Sequence, residues 1–459
     1  HGRDAVTQGW NETTTALQFG RLFEEGKADP REVTDFFLDR AEKEDPGRRV
    51  YHLLTGTRAR VEADAAADRA KRGLRRHPLD GVPLSWKDLF DSAGDVTPAG
   101  SLALKNRIPA HDAEVLARAT RAGAVCFGKT NMTEIAFSGL GINPKMGTPA
   151  NAFDETVERV PGGSSAGAGV SVARGLAAAA IGTDTGGSVR IPAAWNGLVG
   201  LKTTAGRLPL AGTVPLSPSF DTVGPLAHDV ADAAALFSLL DASKPFDLDG
   251  ADLRDAVFWL PGGVAWSELD DGVAAALDLA IRRLVHAGAR IVEHKLPELD
   301  EIDRLAWSGG ASRLVAEAYA YWHETLAANE AVVYRPVFER MMAGASITSA
   351  ELMKTDAARA AIVVRYLAAT AGVDAVLLPT VAITPPPIAA LEGGGPDYFK
   401  ANRMALRNTT IGNQLGLCAV TLPAGYDAGG IPVGLMLQAA PNSEERLLRI
   451  AKAVETVLR

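Results

Sequence analysis

Two glycine- and serine-rich runs, Gly162-Gly-Ser-Ser-Ala-Gly167 and Gly182-Thr-Asp-Thr-Gly-Gly-Ser-Val-Arg190, bracket one apolar helix-and-strand stretch and set Ser164 and Ser188 24 residues apart. Glycine costs roughly 0.5–1 kcal/mol inside regular structure, so such runs make poor core material and imply a need for bare backbone. An oxyanion hole is one such need: consecutive amide N–H groups converge on one point, and Thr185, Gly186, Gly187 and Ser188 can supply them. Glycine accounts for 46 of 459 residues, about one in ten against a usual ~7%, and most glycines without an evident turn duty fall in this region.

The surrounding sequence reads as α/β. Apolar residues recur at helical spacing through 13–44, broken by Gly26 and Pro30 into two helices, and an Ala-rich third runs over 58–72. Between 78 and 213, strand-like segments 82–86, 124–127, 177–182 and 199–202 alternate with helices 113–122 and 166–174, which predicts a sheet flanked by helices. Beyond 230 the pattern gives helices 232–240, 273–287, 311–326 and 350–369, and strands 257–260, 375–378, 419–422 and 433–437. Segment 384–395, with Pro385-Pro-Pro387 and Gly393-Gly-Gly395, reads as a surface loop or lid. No repeat of 20–50 residues occurs, which excludes a solenoid. The length allows two or three domains or one large α/β unit.

Charge and composition exclude several classes. A net charge of −8 and a pI near 5.6 argue against a nucleic-acid-binding face. The longest small-apolar stretch, 176–181, is far shorter than the ~20 residues needed to span a bilayer, so no membrane role is expected. Cys126 and Cys418 offer neither a disulfide framework nor a CxxC metal or redox site. A reducing, cytoplasmic location is expected, with no metal and no cofactor.

Two motifs match by letter. Gly123-Ala-Val-Cys-Phe-Gly128-Lys129-Thr130 satisfies the phosphate-loop pattern, but a helix precedes its first glycine and an apolar strand fills its centre, the reverse of what cradles phosphate. Gly163-Ser164-Ser165-Ala166-Gly167 fits the nucleophile elbow of α/β-hydrolases, with Ser165 attacking and a downstream histidine as base; His228, His286, His294 and His323 are available, and none stands out.

A serine hydroxyl is a weak nucleophile and needs a base within hydrogen-bond reach. Lys87, in Gly81-Val-Pro-Leu-Ser-Trp-Lys-Asp88, follows an apolar strand beside Trp86. Its position alone suits a surface residue, and with a reference pKa of about 10.4 a basic role requires desolvation.

Together, Gly81-Val-Pro…Lys87-Asp88, Gly128-Lys-Thr-Asn131…Glu134, Pro161-Gly-Gly-Ser-Ser165, Gly182-Thr-Asp-x-Gly-Gly-Ser-x-Arg190, Leu422-Pro-Ala-Gly425 and Gly430-Ile-Pro-Val-Gly434 resemble the amidase signature family, over nearly the whole chain. The resemblance implies a large mixed, mostly central β-sheet flanked on both faces by α-helices. It also implies a single domain over 1–459, with a signature core at about 78–230 and a variable substrate-pocket region at about 300–400. It further implies a Ser–cis-Ser–Lys triad: Ser188 as nucleophile, Ser164 as bridging serine after a cis peptide bond, and Lys87 as base. The expected activity is hydrolysis of small-molecule amides through an acyl-Ser188 intermediate, with esters and carbamates within the same chemistry. The alternatives are an A-type subunit of a tRNA-dependent amidotransferase and the Ser165 elbow. Family members are often dimers, so a homodimer is the assembly to test.

Asp184 and Arg190 flank the serine loop and are expected to pair with each other or with backbone; Asp88, Asn131 and Asp221 look like similar supports. Ser165 suits either a hydrogen bond supporting the triad or a helix N-cap. Trp86 stands where a small β-branched residue is common, and Ala166 and Ala168 replace Gly and Ser. Trp307, Tyr319, Tyr321, Trp322, Tyr334 and Phe338 put six aromatics in 32 residues of a chain that averages 6%. Of these Trp307, Tyr319, Trp322 and Tyr334 are the substrate-pocket candidates, serving either as helix packing or as an apolar wall for aryl or alkyl groups. No arginine stands out as a carboxylate recogniser.

Overall fold

The structure is a computed structural model that describes residues 9–307 and 311–459. The described strands are β1 (Tyr51–Leu54), β2 (Pro83–Lys87), β3 (Val125–Thr130), β4 (Ala179–Asp184), β5 (Val199–Lys202), β6 (Thr222–Ala227), β7 (Val257–Leu260), β8 (Arg290–Glu293), β9 (Ala375–Pro379), β10 (Cys418–Tyr426) and β11 (Pro432–Ala439). They form one mixed sheet in the order β1-β3-β2-β4-β6-β5-β10-β11-β9-β7-β8. β2 runs parallel to β3 and β4, and β7 parallel to β8 and β9, while the remaining pairs are antiparallel.

Burial explains why the central strands read as continuous apolar runs rather than as alternation. β2, β3, β4 and β9 are buried along their whole length, which requires cover on both faces. Neighbouring residues enter different cores, as the period of two dictates. Leu377, Val420, Leu435 and Leu437 pack with Leu277 and Leu284 of the helix Asp271–His286 and with Leu447 and Leu448 of the helix Glu444–Leu458. Val376, Leu378, Ala419 and Met436 pack on the opposite face, with Ile302, Ile362, Tyr366, Ile411 and Leu415 from three other helices. The helix-flanked mixed sheet expected from the sequence is therefore present.

The apolar patterns do not reveal β1, β6 and β8 or several helices, most consequentially Pro396–Gln414. That helix lacks an apolar stripe, yet Asn402, Arg407, Asn408, Thr409, Thr410, Asn413 and Gln414 are all buried in it. Segment 384–395 departs from the expected lid. It holds the short helix Ile388–Leu391 and is fastened at its start, where Val160 donates to the Pro386 carbonyl (2.9 Å) and Ile388 to that of Glu158 (2.8 Å). No described helix is long and apolar enough to cross a membrane.

Two parallel neighbours, β2 and β4, carry Lys87 and Asp184 at their C-terminal ends, the usual end for a site in such a sheet. The helix Ala166–Ala173 starts between them and approaches the chain leaving β3. A Cβ on Gly167 would lie 2.3 Å from the Val50 carbonyl oxygen and 2.8 Å from that of Asn131. Backbone cannot yield as a flexible side chain can, so Gly167→Ala is expected to destabilise the protein by about 1–3 kcal/mol. Thermal denaturation followed by circular dichroism measures this, and an unchanged melting curve would contradict so tight an approach.

Candidate active site

Lys87 is fully buried, and its Nζ lies 2.7 Å from Ser164 Oγ, 2.8 Å from Thr183 Oγ1 and 3.4 Å from the Thr183 carbonyl oxygen. Trp86, the departure noted in the sequence, is buried and packs edge-on against Phe90 with ring centroids 5.4 Å apart. Burial penalises the ammonium form and pushes the amine from 10.5 down to about 7, with Asp184 and Asp221 pulling it part of the way back. A lysine of this kind exchanges its proton near neutrality.

Ser164 follows a cis peptide bond from Gly163, and its carbonyl accepts the Thr133 N–H at 3.1 Å. Ser165 precedes the helix Ala166–Ala173 but makes no side-chain cap. Its hydroxyl donates to the Thr183 carbonyl (3.2 Å) and its N–H to the Ser188 carbonyl (3.2 Å), so it links β4 to the 185–188 loop.

That loop is braced from three sides. Arg190 grips Asp184 in a two-pronged ion pair, Nη2 to Oδ1 at 2.9 Å and Nε to Oδ2 at 3.0 Å, and Asn413 joins both partners at 2.6 and 2.8 Å. Burial alone would raise the Asp184 carboxyl, but the Arg190 guanidinium, Lys202 and Asn413 outweigh it and hold Asp184 well below the usual range. Thr409 and Thr410 donate their hydroxyls to the Gly186 carbonyl (2.6 and 3.2 Å). Gly187 has φ +140°, and a Cβ there would fall 2.1 Å from Thr409 Oγ1, so only glycine fits. Thr185 donates to Asp221 Oδ1 (2.6 Å), and Asp221 also accepts the N–H groups of Leu216 and Ser217. Burial raises the Asp221 carboxyl despite these bonds. The amides of Gly186, Gly187 and Ser188 donate to no acceptor among the described residues, which leaves them free for a ligand.

Ser188 opens on a cavity of about 210 Å³ whose walls include Thr185, Gly186, Phe137, Trp307 and Arg340. Of the four aromatic candidates Trp307 lines it. Tyr319 stacks on His323, Trp322 donates to the Pro215 carbonyl, and Tyr334 donates to that of Glu392. Helix packing thus occupies those three. The four downstream histidines are placed elsewhere: His294 stacks on Trp259, His323 on Tyr319, and neither they nor His228 and His286 line the cavity of Ser188. The phosphate-loop match falls on β3, with Lys129 buried 3.0 Å from Asp88. Asn131 donates to the carbonyls of Arg48 and Arg49 (2.6 and 2.9 Å). Sequence reasoning missed Phe137, Arg340, Thr410 and Gln414, all cavity-lining, because nothing in their local pattern separates them from ordinary helix and loop residues.

A profile of the amidase family matches residues 32–448. The chain is 39% identical over 427 residues to a 2-amino-5-chloromuconic acid deaminase of Comamonas testosteroni, covering 90% of this chain and 89% of that one. It is 32% identical over 413 residues to a mandelamide hydrolase of Pseudomonas putida, covering 83% of this chain and 79% of that one. Glutamyl-tRNA(Gln) amidotransferase is represented too, by its A-type chain from Synechococcus sp. (strain WH7803), at 33% identity over 464 residues and 94% coverage of each. A crystal structure of an amidase superimposes with a TM-score of 0.86 at 34% identity, covering 97% of this chain and all of that one. The chain belongs to the amidase family, also called the amidase signature family, and is an amide-hydrolysing enzyme.

Asp221→Asn removes one of the two negative charges that raise Lys87. The acid limb of the kcat/KM–pH profile is therefore expected near 7 in the wild type and at lower pH in the variant. A limb that stays put or moves upward would rule out electrostatic coupling between the two groups.

Proposed function

We propose that the protein hydrolyses the C–N bond of small carboxylic-acid amides by a Ser–cis-Ser–Lys relay. The observation that carries this reading is the 2.7 Å approach of a fully buried Lys87 amine to Ser164, the serine after the cis bond, with that amine poised near neutrality. Neutral Lys87 takes a proton from Ser164 as Ser164 takes one from Ser188, and the Ser188 oxygen attacks the amide carbon. The negative charge on the former carbonyl oxygen is received by the N–H groups of the loop Thr185–Gly186–Gly187–Ser188. When the intermediate collapses, the C–N bond breaks and the relay returns the proton to the departing nitrogen, which leaves as ammonia or an amine. Water then attacks the acyl-Ser188 ester along the same path and releases the carboxylic acid. Esters and carbamates present the same carbon to Ser188 and fall within this chemistry. Asp184, Arg190 and Ser165 act by holding the loop in place.

The likeness to one chain of a multi-chain amidotransferase makes the isolated protein the right material for the test. Purified alone, it is expected to release ammonia from simple primary amides. Ser188→Ala and Lys87→Ala should each lower kcat by roughly 10³-fold or more, whereas His323→Ala should retain turnover. Near-wild-type turnover by Lys87→Ala, together with its loss in a histidine variant, would overturn the relay. Amide hydrolysis that appears only when a second protein is added would overturn the stand-alone reading.

A further inference from the structure

The helix Arg335–Met342 carries two arginines that differ in their surroundings. Arg335 is exposed and paired with Glu330 (3.0 Å) and Glu339 (2.7 Å). Arg340, half-buried in the wall of the Ser188 cavity, has no carboxylate within ion-pair distance among the described residues. Its guanidinium lies 4.2 Å from the ring centroid of Phe137 and 5.9 Å from that of Trp307, and Nη1 donates to the Phe137 carbonyl at 3.1 Å. Asp303, four residues before Trp307, accepts from Arg403 at 2.7 Å, and Glu134, three residues before Phe137, accepts from the Ser101 hydroxyl (2.6 Å) and the Tyr334 N–H (2.7 Å).

A guanidinium has five N–H donors in a planar fork, and one carbonyl with two aromatic faces leaves most of them unused. Desolvation pushes Arg340 down to about 10, with only Tyr398 offsetting it, so the group stays charged at neutral pH while poorly solvated. Such a cation gains most from an anion that fits its fork, and a carboxylate does.

We infer that Arg340 receives a second, anionic carboxylate on the substrate, making the preferred substrates half-amides of small dicarboxylic acids, with the amide at Ser188 and the carboxylate at Arg340. This rests on the amide-hydrolase reading above. The apolar surfaces of Phe137, Trp307, Leu216 and Leu406 cover the carbon chain between the two ends. A neutral aryl or alkyl amide of the same size fits the walls but leaves Arg340 desolvated and unpaired, and sites built to pair a polar group discriminate strongly against ligands that lack it.

The test compares succinamate and glutaramate with their neutral isosteres, 4-oxopentanamide and 5-oxohexanamide, in which a methyl ketone replaces the carboxylate. Wild-type enzyme is expected to favour the carboxylates by roughly 100-fold in kcat/KM. In Arg340→Met that preference should collapse to within about 3-fold, chiefly through KM of the carboxylates, and Arg340→Lys should restore part of it. Succinate should inhibit the wild type competitively and the Met variant far less. If Arg340→Met fails to fold, the wild-type preference and succinate inhibition decide the matter. Equal or better use of the methyl ketones by the wild type overturns the inference and leaves the amide-hydrolase reading standing. Turnover of neither member of either pair also overturns it, and a fluorophosphonate probe then shows, by labelling or sparing Ser188, whether the serine chemistry stands.

Discussion

The Lys87 amine ends a strand covered on both faces, where its nearest polar neighbours are two hydroxyls and one carbonyl. An ammonium ion there loses its hydration and finds no carboxylate in direct contact among the described residues, so the neutral amine becomes accessible near pH 7. The whole sheet contributes to this chemistry, because any path for water to Lys87 would return it toward an ordinary surface lysine. Asp184 and Asp221 temper the effect from a distance, which keeps the amine basic enough to take a proton.

Negative charge near the site is itself held down. Asp184 is surrounded by Arg190, Asn413 and the amide of Val189, so its charge is spent on fixing the backbone that flanks Ser188. A buried ion pair of this sort contributes little net stability compared with apolar packing, and its benefit is a fixed geometry. Asn413 belongs to the polar helix Pro396–Gln414, which also fastens the Gly186 carbonyl through Thr409 and Thr410 and the Gly139 N–H through Asn402. With its carbonyl held from behind, the peptide at Gly186 keeps its neighbours' N–H groups free.

Those interactions explain what could be read from sequence. The glycine and serine runs were legible because backbone-lined sites leave a compositional trace, and Lys87 because a family pattern places a lysine at a strand end. The helix Pro396–Gln414 was not legible, since its buried face is matched to polar groups of the loop and therefore shows no apolar periodicity. The aromatic cluster misled in proportion to its density: Trp307 reaches the cavity, while Tyr319, Trp322 and Tyr334 pack elements together. Arg340 gave no sign, because an arginine on a helix bearing Arg335 and Glu339 looks like one more surface charge until the fold removes its partners.

The sheet order carries a further consequence for how the chain is made. One edge of β5 pairs with β6, which lies close in sequence, but its other edge waits for β10, near the end of the chain. Until residues 418–426 leave the ribosome, a nascent chain presents an unpaired strand with an apolar face in the middle of what will become the sheet. Such an edge is a template for pairing with other chains. Synthesis of this enzyme therefore has a vulnerable interval that closes only when β10 arrives, and the strand that covers β5 also pairs with β11, through which β9, β7 and β8 join the sheet.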